Sequence, residues 1–271
     1  MLKDITLGQY FPGKSLLHKT DARVKILALI AYLVLVLSAK SAVSFAFVLS
    51  VTAIMIAISG IPLKTVLRAL RPLLFILIFT AVINVFFVSG ETVLFEWKFI
   101  RIYREGIENA VKMTVRLICL VGGTSVLLTY TTSPLDLTDG LERLLNPLKY
   151  IKVPVHDFAM MMSIALRFIP TLIEETDKII SAQKARGADF ESGNLFARAK
   201  ALIPVLVPLF VSAYRRAYEL AEAMECRCYR SGEGKTRMKI IKTRPADYVF
   251  LAVCIVCCVG AILLNRVVIP L

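Results

Sequence analysis

Residues 72–90 read PLLFILIFTAVINVFFVSG, an apolar stretch without a charge, bounded by Arg71 and Glu91. A helix rises about 1.5 Å per residue, so a stretch of this length nearly covers the roughly 30 Å of hydrocarbon in a bilayer. Similar charge-free runs lie between Lys25 and Lys40, Lys40 and Lys64, Arg116 and Asp136, and Asp247 and Arg266. Four of the five reach the roughly 17 residues that a span tolerates. The first is shorter, but Lys25 and Lys40 can extend their amines outward from its ends. Nothing in these runs alternates as barrel strands do, and backbone polar groups cannot stay unpaired in lipid, so helices are the expected solution. The fold class that follows is all-α: a polytopic membrane protein of about five transmembrane helices.

Composition agrees with this reading. Hydrophobic residues make up 57% of the 271 residues, and the mean hydropathy is +0.71. The formal charge of +13 is read as basic residues retained on the cytoplasmic face. No interleaved basic and aromatic surface accompanies it, so no nucleic-acid partner is expected. Asp4, Lys14, Asp21 and Arg23 precede the first apolar run, which is unlike a cleaved leader. Lys14, Lys19 and Arg23 before the first run, and Lys64, Arg68 and Arg71 between the second and third, place the N-terminus inside. Lys98, Arg101 and Arg104 oppose that orientation, because they fall in a loop it would put outside. In the same loop Val93 to Phe99 is strand-like and fits a short hairpin.

Three regions follow: residues 1–133 with an N-terminal arm and four spans, 134–245 as a cytoplasmic domain of amphipathic helices, and 246–271 with the last span. The middle region holds 18 Lys or Arg and 13 Asp or Glu, yet apolar residues recur through it at helical spacing. Ser133 and Pro134 can open a first helix as cap and first residue. A second is expected from about Val155 to Ala185, and a third from Pro204 or Pro208 to Cys226. Residues 202–211 are apolar but too short and too interrupted by proline to span alone. These helices are expected to lie along the inner membrane surface.

Gly8 to Ser15 satisfies the phosphate-loop pattern G-x4-G-K-S. That loop works between a strand and a helix of an α/β domain, and here an apolar run begins within a dozen residues, so the match is read as accidental. Cys119, Cys254, Cys257 and Cys258 fall inside apolar runs and are read as packing residues. Asn84, and Glu108, Lys112 and Arg116 at i, i+4 and i+8, are the other polar residues near lipid; an ion-pair ladder and a transport role both fit the latter three. His18 and His156 are the only histidines, and no metal-spaced cluster or nucleophile triad appears.

Two helix ends carry the informative residues. The second cytoplasmic helix finishes Ala185-Arg186-Gly187, where Gly187 suits a left-handed cap and Arg186 complements exposed carbonyls. The third finishes Cys226-Arg227-Cys228, again with an arginine at the end. A guanidinium can bridge several carbonyls or carboxylates of a partner in a way that a lysine cannot.

These residues resemble the transmembrane T component of energy-coupling factor transporters, whose signature is two Ala-Arg-Gly motifs at the ends of coupling helices. Ala185-Arg186-Gly187 matches the first fully, whereas Cys226-Arg227-Cys228 keeps only the central arginine of the second. Asp21-Ala22-Arg23-Val24-Lys25 is similar to the family's Asp-Pro-Arg-x-Lys lead-in to the first span, and Gly8-Gln9-Tyr10 with Pro12-Gly13 resembles its N-terminal arm. Ser133 to Thr138 and Ala165 to Pro170 also look like family segments in the expected order.

The resemblance implies a non-enzymatic scaffold in a bacterial-type plasma membrane. It would rest on two ABC-type ATPase subunits through Arg186 and Arg227, and grip a separate substrate-binding membrane subunit for a vitamin or another micronutrient. No cofactor is expected in this chain, since the partners would bind ATP. A left-handed cap is costlier for Cys228 than for glycine, so the third helix is expected to run on to Gly232 as an alternative end. The two thiols flanking Arg227 are read as plain substitutions or, as the rarer alternative, as redox-active. Two other classes compete: a conventional ABC importer permease that binds substrate itself, and a membrane-embedded transferase. The transferase would need clustered acidic residues for a divalent cation, and the sequence holds no such cluster.

Overall fold

The computed structural model describes residues 10–13, 15–88, 90, 92–97, 100–190, 194–229 and 243–267. Ten helices follow one another among them: α1 (Leu16–Lys19), α2 (Ala22–Ser38), α3 (Ala42–Ser59), α4 (Leu63–Leu70), α5 (Leu74–Phe87), α6 (Arg104–Thr124), α7 (Pro134–Leu145), α8 (Val155–Ala185), α9 (Leu195–Cys226) and α10 (Pro245–Val267). A π-helical segment, Ser125–Tyr130, continues α6. The expected hairpin is present as β1 (Val93–Trp97) and β2 (Ile100–Tyr103), antiparallel with Trp97 opposite Ile100 and an irregularity between Val93 and Phe95. Residues 98 and 99 of that expectation lie outside the described residues.

Five helical stretches are long and apolar enough to cross a membrane: Ala42–Ser59, Leu63–Phe87, Arg104–Tyr130, Val155–Ala185 and Pro245–Asn265. The number is the expected one, but the membership differs. The expected first span forms α2, which has 17 residues. It is the most enclosed helix, with Ala28, Tyr32, Leu35 and Val36 all buried. One side of it is therefore packed in protein, while Leu27, Ile30, Val34 and Leu37 on the opposite side remain exposed. Helix α8 qualifies because only Asp157 and Arg167 interrupt its apolar first half.

The chain divides into two compact units, residues 8–144 with 241–271, and residues 145–240. In the first, α2 is central and α3, α6 and α10 pack against it. The four expected packing cysteines are free thiols. Cys119 is buried in this core, and Cys254, Cys257 and Cys258 pack against it. Tyr32 reaches across: its hydroxyl lies 2.8 Å from Thr52 Oγ1 and donates to the Cys119 carbonyl at 2.7 Å. A side chain at Gly123 would collide with the Tyr32 ring, so this crossing requires a glycine on α6.

Both ends of α2 are tied by polar contacts. At its C-terminal end, Asn265 of α10 accepts from the backbone of Lys40 and Ser41 and from Ser44 Oγ, and donates to the Ser38 carbonyl. One amide side chain thus satisfies the open turn between α2 and α3. Arg116 completes that corner, donating to the Ala39 carbonyl at 2.7 Å and lying over the Phe45 ring. The expected ladder therefore stops at Lys112: Glu108 pairs with Arg104 and Lys112, and Arg116 turns to the carbonyl instead. Asn84 donates to the Thr80 carbonyl within its own helix.

At the other end Lys25 is 1% exposed, and its ammonium donates to the Thr131 carbonyl at 2.8 Å and Thr132 Oγ1 at 3.1 Å. Beyond it Ser133 caps α7, accepting from the Asp136 backbone, as its sequence indicates.

The unit of residues 145–240 is built on α8 and α9. Helix α8 has the expected bounds. Helix α9 begins at Leu195, well before the expected proline start, and runs through Pro204 and Pro208. Each internal proline removes one helical hydrogen bond but leaves the flanking ones, which a helix of 32 residues absorbs.

Candidate functional site

The two long helices run antiparallel where they meet. Glu175 of α8 is the polar link: Ser212 Oγ donates to its Oε1, and Arg216 Nη2 to its Oε2 at 3.0 Å. Around it the contact is apolar, with Met160, Ile164, Phe168 and Leu172 of α8 facing Ala217, Leu220 and Met224 of α9. The small residues Ala213, Ala217 and Ala221 recur every four positions along α9 and hold the groove open. Past Met224, the Tyr229 hydroxyl donates to Met160 Sδ.

From this link the two arginines diverge symmetrically. Arg186 lies eleven residues beyond Glu175, and Arg227 eleven beyond Arg216, so each helix continues about 16 Å past the bridge. Because the helices are antiparallel, the tips lie at opposite ends of the pair.

The tips have one backbone geometry. At the end of α8, Arg186 is the cap residue (φ −85°, ψ 4°) and Gly187 takes φ 87°. The Gly187 N–H donates to the Lys184 carbonyl and the Ala188 N–H to Gln183. At the end of α9, Arg227 is the cap residue (φ −91°, ψ 13°) and Cys228 takes φ 53°. The Cys228 N–H donates to Glu225 and the Tyr229 N–H to Met224. Both are Schellman turns, with one bond spanning three residues and one spanning five.

The third cytoplasmic helix, α9, thus has its expected end at Cys226 and not the alternative end at Gly232. The turn closes there because its two hydrogen bonds satisfy carbonyls that would otherwise be open, which offsets the left-handed strain at Cys228. Gly232 lies outside the described residues.

The turn fixes what the arginines present. Each is the cap residue just past the last helical residue, with the chain folding back after it, so both arginines stand at a helix end. Arg186 and Arg227 are exposed, and neither is engaged by another described residue. A cation there also complements the negative end of its helix. Cys226 and Cys228 are exposed free thiols.

The phosphate-loop match has a different local structure. The Phe11 N–H donates to the Tyr130 carbonyl, and the His18 ring bridges Ser15 Oγ and the Phe11 carbonyl. A side chain at Gly13 would strike that ring, which accounts for this glycine without a phosphate. The helix that follows is one turn, Leu16–Lys19; Gly8, Gln9 and Lys14 lie outside the described residues. Among the described residues, no group of three or more His, Cys, Asp or Glu is placed to hold a metal ion.

The contacts of Asn265 and the burial of Lys25 are not legible in the sequence, since their partners are more than 100 positions away in the chain. The π-helical segment is likewise announced by no local residue.

Fold and tips together define a multi-pass helical membrane protein that carries a long helical hairpin with two arginine ends. The family model described as CbiQ, cobalt transport protein, matches residues 13–239. Three relatives named energy-coupling factor transporter transmembrane protein EcfT are similar over nearly the whole chain. The one from Ruminiclostridium cellulolyticum is 52% identical over 267 residues, covering 98% of this chain and 99% of the relative. That from Clostridium kluyveri is 51% identical, covering 98% of each. That from Acidaminococcus fermentans is 53% identical, covering 91% of each. The chain belongs to the family of transmembrane T components of energy-coupling factor transporters. It is a non-catalytic transporter subunit, and membership implies partner subunits.

Proposed function

We propose that this chain couples two ABC-type ATPase subunits to a separate substrate-binding membrane subunit, in an importer for vitamins or other micronutrients. Arg186 and Arg227 would each enter a groove of one ATPase subunit, within the tips Ala185-Arg186-Gly187 and Cys226-Arg227-Cys228. ATP would be bound by those partners, with no cofactor in this chain. The setting is a bacterial-type plasma membrane with the N-terminus and the α8–α9 hairpin on the cytoplasmic side.

The observation that carries this reading is the repeated tip: two exposed arginines, engaged by no other described residue, on turns closed by the same pair of hydrogen bonds, at opposite ends of one antiparallel pair. A pair of like projections suits a pair of like sockets. When the ATPases approach each other on binding ATP, the tips would be displaced, and the Glu175–Arg216 link would pass that displacement between the helices. Motion is transmitted only if the two arrangements differ in free energy, so the tips must bind one arrangement of the ATPases better than the other.

The test is the charge-reversed pair Arg186→Glu/Arg227→Glu. The expected result is loss of co-purification with the ATPases and of substrate uptake, with the protein still inserted in the membrane. Full assembly and uptake by the double variant would refute the proposal.

A further inference from the structure

Helix α4 is the basic start of the Leu63–Phe87 stretch and differs in character from the apolar α5 that follows it. It is short, Leu63–Leu70, and its side chains sort into three arcs around the axis. Val66 and Leu70 are 3% and 9% exposed, and Val66 belongs to the apolar cluster with Leu17, Ile61, Val126 and Tyr130. Next to that arc lie Leu63 and Leu67, 60% and 57% exposed, followed along the same side by Leu74 at 50%. Next again lie Lys64, Arg68 and Arg71, spaced i, i+4 and i+7 and all exposed. No acidic residue occurs between Lys64 and Arg71, and none of the three cations is engaged by another described residue.

The helix sits where two membrane segments end. Gly60, at φ 70°, turns the chain out of α3, and α5 begins at Leu74. The charge-free part of the Leu63–Phe87 stretch begins only after Arg71, so α4 is its basic start, where the membrane segment emerges. One face of α4 is thus sealed against protein, one presents leucines, and the cations border the leucines. That order matches a helix lying in a bilayer interface, with its apolar arc in acyl chains and its basic arc at headgroup depth.

We infer that α4 is a binding site for anionic phospholipid, with Lys64, Arg68 and Arg71 holding headgroup phosphates while Leu63 and Leu67 enter the acyl layer. Charge complementarity selects this occupant: three unpaired cations on one arc favour a lipid with net negative charge over a zwitterionic one. The adjoining leucines favour a lipid over a water-soluble anion, because a free phosphate would leave them exposed. The inference rests on the membrane fold and is independent of the coupling role proposed for the tips.

The experiment uses the full chain in detergent micelles supplied with equal phosphatidylglycerol and phosphatidylcholine, and reads the retained lipid by native mass spectrometry at low and high salt. Phosphatidylglycerol is expected to be retained selectively and to be released by salt. The variant Lys64→Gln/Arg68→Gln/Arg71→Gln is expected to lower its retention by roughly tenfold or more. Arg68→Lys/Arg71→Lys, which keeps the charge, is expected to keep the lipid. Should the triple variant fail to fold, the single changes Lys64→Gln and Arg71→Gln at exposed positions should each show a partial loss. Equal retention of both lipids by the native chain, or unchanged selectivity in the folded variants, would overturn the assignment. So would loss of a partner subunit from the triple variant with lipid retention unchanged, which would make the stripe a protein contact.

Discussion

The ends of α8 and α9 carry different residues on the same turn. Ala185-Arg186-Gly187 uses glycine in the left-handed position, and Cys226-Arg227-Cys228 uses a residue with a side chain at φ 53°. The hydrogen-bond pattern is nonetheless the same at both. What the two tips share is therefore the cap arginine and the closed carbonyls, and the glycine is a preference rather than a requirement. The strain at Cys228 is of the order of 1–2 kcal/mol, which two hydrogen bonds of about 1 kcal/mol each can balance.

Three experiments can break or sharpen this equivalence. The largest effect is expected from the arginines one at a time. If the proposed coupling role holds, Arg186→Ala and Arg227→Ala should each weaken binding of the proposed ATPase partners by roughly tenfold or more, the worth of a charge-assisted hydrogen bond. Equal losses in a titrated pull-down would support two equivalent tips; a loss at Arg186 alone would make the cysteine tip a passive end.

Next comes Gly187→Val, which forces a β-branched residue to φ 87°. It should destabilise the last turn of α8 by about 1–3 kcal/mol, read as faster amide exchange at Arg186 and Ala188 with α9 unchanged. The smallest effect belongs to Cys226→Ala/Cys228→Gly, which converts the second tip to the first. Relieved strain and the greater freedom of unfolded glycine oppose each other, so amide protection in the last turn of α9 should rise by under about 1 kcal/mol. A large change in either direction would mean that the thiols do something besides fill their positions.

The tips were legible in the sequence because a helix cap is decided by its own few residues. The same holds for Ser133 at the start of α7 and for the bounds of α8. The start of α9 was not, since Pro204 and Pro208 read locally as a boundary while the long helix absorbs them. Arg116 reads as part of a ladder with Glu108 and Lys112, because helical spacing is visible and the Ala39 carbonyl is not. Asn265 is an ordinary polar residue near the end of a span until the turn of Lys40 and Ser41 is folded against it. Local chemistry specifies caps and apolar faces, whereas a buried polar contact between distant segments exists only once the fold does.

Lys25 turns that distinction into a matter of timing during biosynthesis. Its carbonyl partner, Thr131, lies 106 positions further along the chain. At a synthesis rate of about 5–20 residues per second, that carbonyl emerges roughly 5 to 20 seconds after Lys25 does. During that interval the end of α2 holds a cation without its acceptor, on a helix of only 17 residues. It must wait at the interface, or in the insertion machinery, until α6 arrives. The first membrane helix to be made is thus among the last to be finished.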